Sequence, residues 1–236
     1  MSERPPGNEP AATRAIETDL AVLLRTLESG GVADRRAAAA DLGANGPTAA
    51  TARSSLETAA RADSSAAVRV AAALSLWQVS GTATDTATDT ATDAVAILRA
   101  ELDQELTSYR ALQAADPAAA DDAHFDALFE ALTQIRAIAT ALGTIGADAG
   151  SAAPALMSLL AERIGEGYED LVPPVANALG GIGPAAAAVL PELERYRASQ
   201  PGRQNADAID AAIASLAGAS RAESPAPDPG PLPDVD

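Results

Sequence analysis

A phrase recurs along this chain, and its spacing constrains the fold more than any single residue does. Arg35-x-x-Ala38-Ala39-x-x-Leu42 returns 34 residues later as Arg69-x-x-Ala72-Ala73-x-x-Leu76. Farther on, Leu142-Gly143-x-Ile145-Gly146 followed by Pro154-x-Leu156 returns as Leu179-Gly180-x-Ile182-Gly183 followed by Pro191-x-Leu193, each element displaced by 37. Self-similarity at a period of roughly 20–50 residues marks an array whose units cover their apolar faces only by stacking on neighbours. The unit is a helix pair, because apolar residues fall at helical spacing in every segment and no alternating strand pattern appears. The expected fold is all-α, an α-α superhelix of about five helix pairs.

Composition sharpens this. The apolar fraction is 47% but aromatics are only 3%, and alanine supplies most of the rest. Alanine favours helix and buries little area, so close helix approach must stand in for bulky side chains. With no cysteine, disulfides, thiolate nucleophiles and zinc–sulfur sites are excluded, which fits a cytoplasmic protein. The net charge is −17, and all 16 basic residues are arginine. GC-rich coding gives such a set; a salt-adapted, strongly hydrated surface is the other reading. Either way a polyanion would be repelled, so nucleic-acid binding is not expected. No apolar run has the length of a membrane span or a signal peptide.

Along the chain, helices are expected in pairs, A then B. Residues 1–11 are Pro-rich and are expected as a disordered lead-in. A1 covers about 12–29, B1 33–44, A2 47–61 and B2 66–79, with Asp63 or Ser64 placed to cap B2. The triple Thr-Ala-Thr-Asp run has no apolar face, so 82–92 is expected as a flexible insertion, with Asp93 capping A3 at about 93–112. B3, about 121–143, carries Phe125, Leu128, Phe129, Leu132, Ile135 and Leu142. A4, B4, A5 and B5 follow at about 150–164, 168–182, 184–199 and 203–217, giving a repeat domain over 12–218. The Pro-rich stretch 219–236 has too little apolar content to fold and is expected as a disordered tail.

These phrases resemble the HEAT repeat, including the HEAT-like variant of phycobilisome bilin lyases, over about residues 12–218. Val68-Arg69-x-x-Ala72-Ala73-x-x-Leu76 matches the second helix of that repeat, and Arg35-x-x-Ala38-Ala39-x-x-Leu42-Gly43 matches it apart from Asp34. The resemblance implies an Asp six residues before the Arg, able to pair with it or with a neighbouring repeat; Asp63 and Arg69 keep that spacing, and the first repeat has Ser29 there. Trp77 stands where the pattern has glycine. The resemblance also implies that the B helices line a concave side. Their charge runs from near neutral in B1 and B2 to acidic in B3, B4 and B5, unlike the basic concavity of HEAT-like DNA glycosylases.

No residue announces a chemistry. The one histidine, His124, stands beside Asp121, Asp122 and Asp126 at the start of B3, where favourable helix-dipole electrostatics outweighs a metal site. The aspartates of the Thr-Ala-Thr-Asp run lack the glycine that a calcium loop needs to turn. The expectation is a non-enzymatic scaffold or adaptor, without cofactor, binding a protein partner on the B-helix face. Arg35, Arg36, Arg69, Trp77 and Arg136 are the candidate contact residues. The alternative is a protein like the bilin lyases, holding a tetrapyrrole or its acceptor.

Overall fold

A computed structural model describes residues 11–80, 85–115, 121–162, 168–199 and 205–222, and no strand occurs among them. The fold is all-α. Among the described residues there are ten α-helices: α1 Ala11–Ser29, α2 Val32–Ala44, α3 Arg53–Ala62, α4 Ala66–Ser80, α5 Asp85–Gln113, α6 Asp122–Ile145, α7 Ala153–Glu162, α8 Val172–Ile182, α9 Leu190–Ser199 and α10 Ala206–Ala222. The chain divides into two compact units, Met1–Gln104 and Glu105–Asp236, with the boundary inside α5. In the first, α2 packs on α1 and α4, and α3 packs on α4. In the second, α6, α8 and α10 lie side by side in that order, and α7 and α9 pack against them and each other. The lead-in, except Ala11, and the tail beyond Ala222 lie outside the described residues; α10 runs past the expected end of B5.

The repeated phrases encode one recurring junction. At Gly46, Gly146 and Gly183 the backbone takes φ of +55°, +72° and +62°, a region that a side chain would strain. From each glycine the chain makes a seven-residue 3₁₀ segment and then an α-helix of ten residues: α3, α7 and α9. Residues three and six after the glycine share a face of the 3₁₀ segment. They are buried in every copy: Ala49 and Ala52, Ala149 and Ala152, Ala186 and Val189. The leucines four before and ten after the glycine are buried as well: Leu42 and Leu56, Leu142 and Leu156, Leu179 and Leu193. The expected continuous A helices therefore open with a 3₁₀ segment, because the glycine redirects the chain before α-helical bonding resumes.

Close approach replaces bulk, as the alanine content requires. A methyl group added at Gly143 would lie 2.8 Å from Ala178 Cα, and one at Gly181 would lie 2.6 Å from the Gly143 carbonyl oxygen. The backbones of α6 and α8 thus touch directly. At Gly43 an added methyl would collide with Ser75 of α4.

The Thr-Ala-Thr-Asp run departs from expectation. Residues 82–84 lie outside the described residues, but 85–92 form the opening turns of α5 rather than a linker. Burial overrides the weak propensity of Thr and Asp. Thr90 and Ala91 are buried and start a stripe continued by Ala94, Val95, Leu98 and Leu102, and Arg53 donates to the Thr90 hydroxyl. Asp93 is no cap; its carboxylate meets Arg61 at 3.3 Å. One stretch, Glu169–Ser199, is long and apolar enough to cross a membrane. Half of its most apolar window is buried, and it turns at Gly183 into separate helices.

Candidate functional site

Arg35 and Arg69 sit at equivalent points of the first turns of α2 and α4, and both reach forward along the chain. Arg35 donates through Nε and Nη2 to the two Asp63 carboxylate oxygens, each at 2.8 Å, and through Nη1 to the Gly30 carbonyl. Arg69 donates through Nε and Nη2 to the two Glu101 oxygens, each at 2.7 Å, and through Nη1 to the Asp63 carbonyl. Of the two partners open to Asp63, the carboxylate accepts its hydrogen bonds from Arg35 of the other helix pair, while the charge of Arg69 adds to lowering the carboxyl. Arg69 takes the backbone oxygen of Asp63, while the carboxylate turns back to Arg35 and accepts from the Ser65 N–H. Two-point guanidinium–carboxylate bonding favours these partners because the planar forks match.

All four side chains are largely buried, at 9–16% exposure. The hydrogen bond from Arg35 is the main reason the Asp63 carboxyl is held below its ordinary value; burial opposes it and the Ser65 N–H assists. The same bond raises Arg35. Arg35 and Arg69 are thus committed inside the fold, which leaves little of either guanidinium for a partner.

The other three candidates are placed differently. Arg36, the neighbour of Arg35, is exposed. Trp77, in α4, is half-buried. Arg136 is exposed on α6 and stands at a groove of about 410 Å³ between α6 and α8. Thr140, Gly143 and Thr144 from α6 and Pro173, Pro174 and Asn177 from α8 line it further. Its floor is shallow because Gly143 and Ala178, where the two helices touch, have nothing larger to project. A depression of about 580 Å³ between α1 and α2 takes in Arg25, Thr26, Asp34 and Asp41, and none of the five candidates lines it.

The groove lining is not legible as a site in the sequence, since Thr140, Thr144 and Asn177 look like ordinary surface polar residues. Their one signal is position, on the B helices and away from the buried stripe. Phe125 and Phe129 also depart from the apolar stripe expected of them, at 61% and 71% exposed. At 100° per residue, Phe125, Phe129, Leu132, Arg136, Thr140 and Gly143 fall within a sector of about 80° on α6, so the aromatic pair continues the α6 wall of the groove. His124 packs edge-on against Phe125, with ring centroids 5.8 Å apart, and its backbone N–H donates to the Asp121 carboxylate, the N-cap of α6. Among the described residues no group of three or more His, Asp and Glu side chains is arranged to hold a metal. No protein-family model matches the sequence, and no curated protein matches it significantly.

Proposed function

We propose that the chain is a HEAT-like helical-repeat scaffold that docks a protein partner, without catalysis, along the exposed face of its B helices. In this reading the docking face is centred on the groove between α6 and α8. Support comes from the groove itself: it is open to solvent, polar at Arg136, Thr140 and Asn177 and apolar at Pro173 and Pro174. Small-molecule sites bury most of their ligand; a shallow trough between two helices suits an extended or helical segment of another chain. The recurrence of one glycine junction and of Arg–carboxylate pairs reaching the next repeat supports the repeat-array part of the reading.

A photo-crosslinking side chain placed at Thr140 tests it against one placed at Ser158, exposed on α7. A discrete protein adduct in native lysate should form from position 140 and not from 158, and Arg136→Glu should remove it. An adduct from 158 alone would put the functional surface on the A helices and overturn the assignment.

A further inference from the structure

Among the described residues, the first part of α6 is an amphipathic stretch whose aromatic edge is exposed. Every buried residue of α6 falls at Ala131 or later, yet Phe125, Leu128, Phe129 and Leu132 keep the spacing of a core-facing stripe. Leu128 and Leu132 are half-buried. Phe125 and Phe129, the only phenylalanines in the sequence, stand out in solvent. Exposing two aromatics side by side forfeits the burial that normally retains such residues.

The α6 side chains flanking them are acidic, and the nearest α6 cation is Arg136, seven residues past Phe129 on the same face. Asp121, Asp122, Asp126 and Glu130 are exposed, and no arginine occurs from Asp121 to Ile135. A second copy of this chain is a poor occupant, since matching α6 faces would set these carboxylates against each other. The complementary occupant has an apolar stripe to cover the two rings and cations beside it to meet the carboxylates. A guanidinium can also stack on an exposed ring face.

We infer that Phe125 and Phe129 anchor a basic amphipathic helix of a partner protein, whose apolar residues cover the rings while its Lys or Arg side chains face Asp122, Asp126 and Glu130. This rests on the reading of the exposed α6 face as the docking face, and it specifies the chemistry of what docks there. The helix-on-helix mode reads its partner by anchors at i, i+3, i+4 and i+7.

The test uses the full chain and two labelled synthetic peptides of equal length, a Leu/Lys amphipathic helix and its Leu/Glu counterpart, followed by fluorescence anisotropy. The Leu/Lys peptide should bind and the Leu/Glu peptide should not. Phe125→Ala with Phe129→Ala changes no charge and removes no core residue, so it should leave circular dichroism unchanged and weaken Leu/Lys binding at least about ten-fold. Unchanged affinity in that variant would show only attraction to an acidic protein, and equal binding of the Leu/Glu peptide would remove the charge argument; either result overturns the inference. The groove reading fails separately. If peptide binding follows the phenylalanines while position 140 captures nothing, the aromatic anchor stands and the groove does not. If peptide binding ignores the phenylalanines while position 140 captures a protein, the groove stands and the anchor falls.

Discussion

Replacing Gly143 with alanine and, separately, Gly180 with alanine should move stability in opposite directions, although both hold the same place in the repeated Leu-Gly-x-Ile-Gly phrase. Both glycines lie within helices, so each new alanine gains up to about 1 kcal/mol from helix propensity and a less flexible unfolded chain. At Gly180 the added methyl would rest 3.5 Å from Ala212 Cα, an ordinary contact, and that gain should survive. At Gly143 the methyl would lie 2.8 Å from Ala178 Cα. That neighbour is backbone, so relief requires α8 to shift as a body and disturbs the packing beyond it. Overpacking of this kind costs about 1–3 kcal/mol, which exceeds the propensity gain and leaves a net loss of about 1 kcal/mol. Urea titration by far-UV circular dichroism would measure both, comparing midpoints and slopes because a repeat chain need not unfold in one step. A shift of the same sign from both substitutions would show that α6 and α8 re-space freely, and would refute the idea that backbone contact fixes their distance.

Three further outcomes follow from other contacts. Arg69→Ala strands the buried Glu101 carboxylate and should lower stability by about 2 kcal/mol, whereas Arg36→Ala on the exposed face should stay within about 0.5 kcal/mol; equal thermal shifts would disprove the distinction. The carboxyl of Asp63 is lowered in the folded state, so its contribution is complete above the ordinary carboxylate range and is lost as pH falls through the lowered value. Asp63→Asn should therefore flatten the acid side of a melting-temperature profile, and an unaltered profile would show that the pair with Arg35 does not persist in solution. Thr90→Pro should break α5 near its start, reducing helix content and costing about 3 kcal/mol; an unchanged spectrum and melt would restore the tract to a linker.

How much of this can be read in the sequence depends on whether the signal is local. Ala38, Ala39 and Leu42, and their counterparts Ala72, Ala73 and Leu76, are buried as the helical spacing predicts, because a core stripe is written in one helix. The glycine-led 3₁₀ segments are hidden inside the expected A helices, since small apolar residues at the buried third and sixth positions, alanine in all but Val189, suit α and 3₁₀ alike. Six residues separate Asp63 from Arg69, which predicts a pair, but the carboxylate serves Arg35, 28 residues away. Nothing in local spacing ranks those two partners. The Thr-Ala-Thr-Asp run misleads in the same way, its helix being set by burial of Thr90 and Ala91. Of the candidate contact residues, Arg136 alone lines the α6–α8 groove. Arginine on one of these helices is a type of residue, and whether it faces a carboxylate or a groove depends on the helix packed beside it.

The contact between the backbones of α6 and α8 bears on how a guest would be received. Where large side chains separate two helices, rotamers can change and let the helices spread or close around whatever arrives. Glycine and alanine have no rotamers to change. The spacing of the two backbones is thus set before any encounter, and only the side chains along the rim, Arg136, Thr140, Thr144 and Asn177, remain to be ordered by a binding segment. If a segment docks there as proposed, the helix spacing would give it no extra room, and affinity should depend more on how well the guest fits than on how far the backbones adapt.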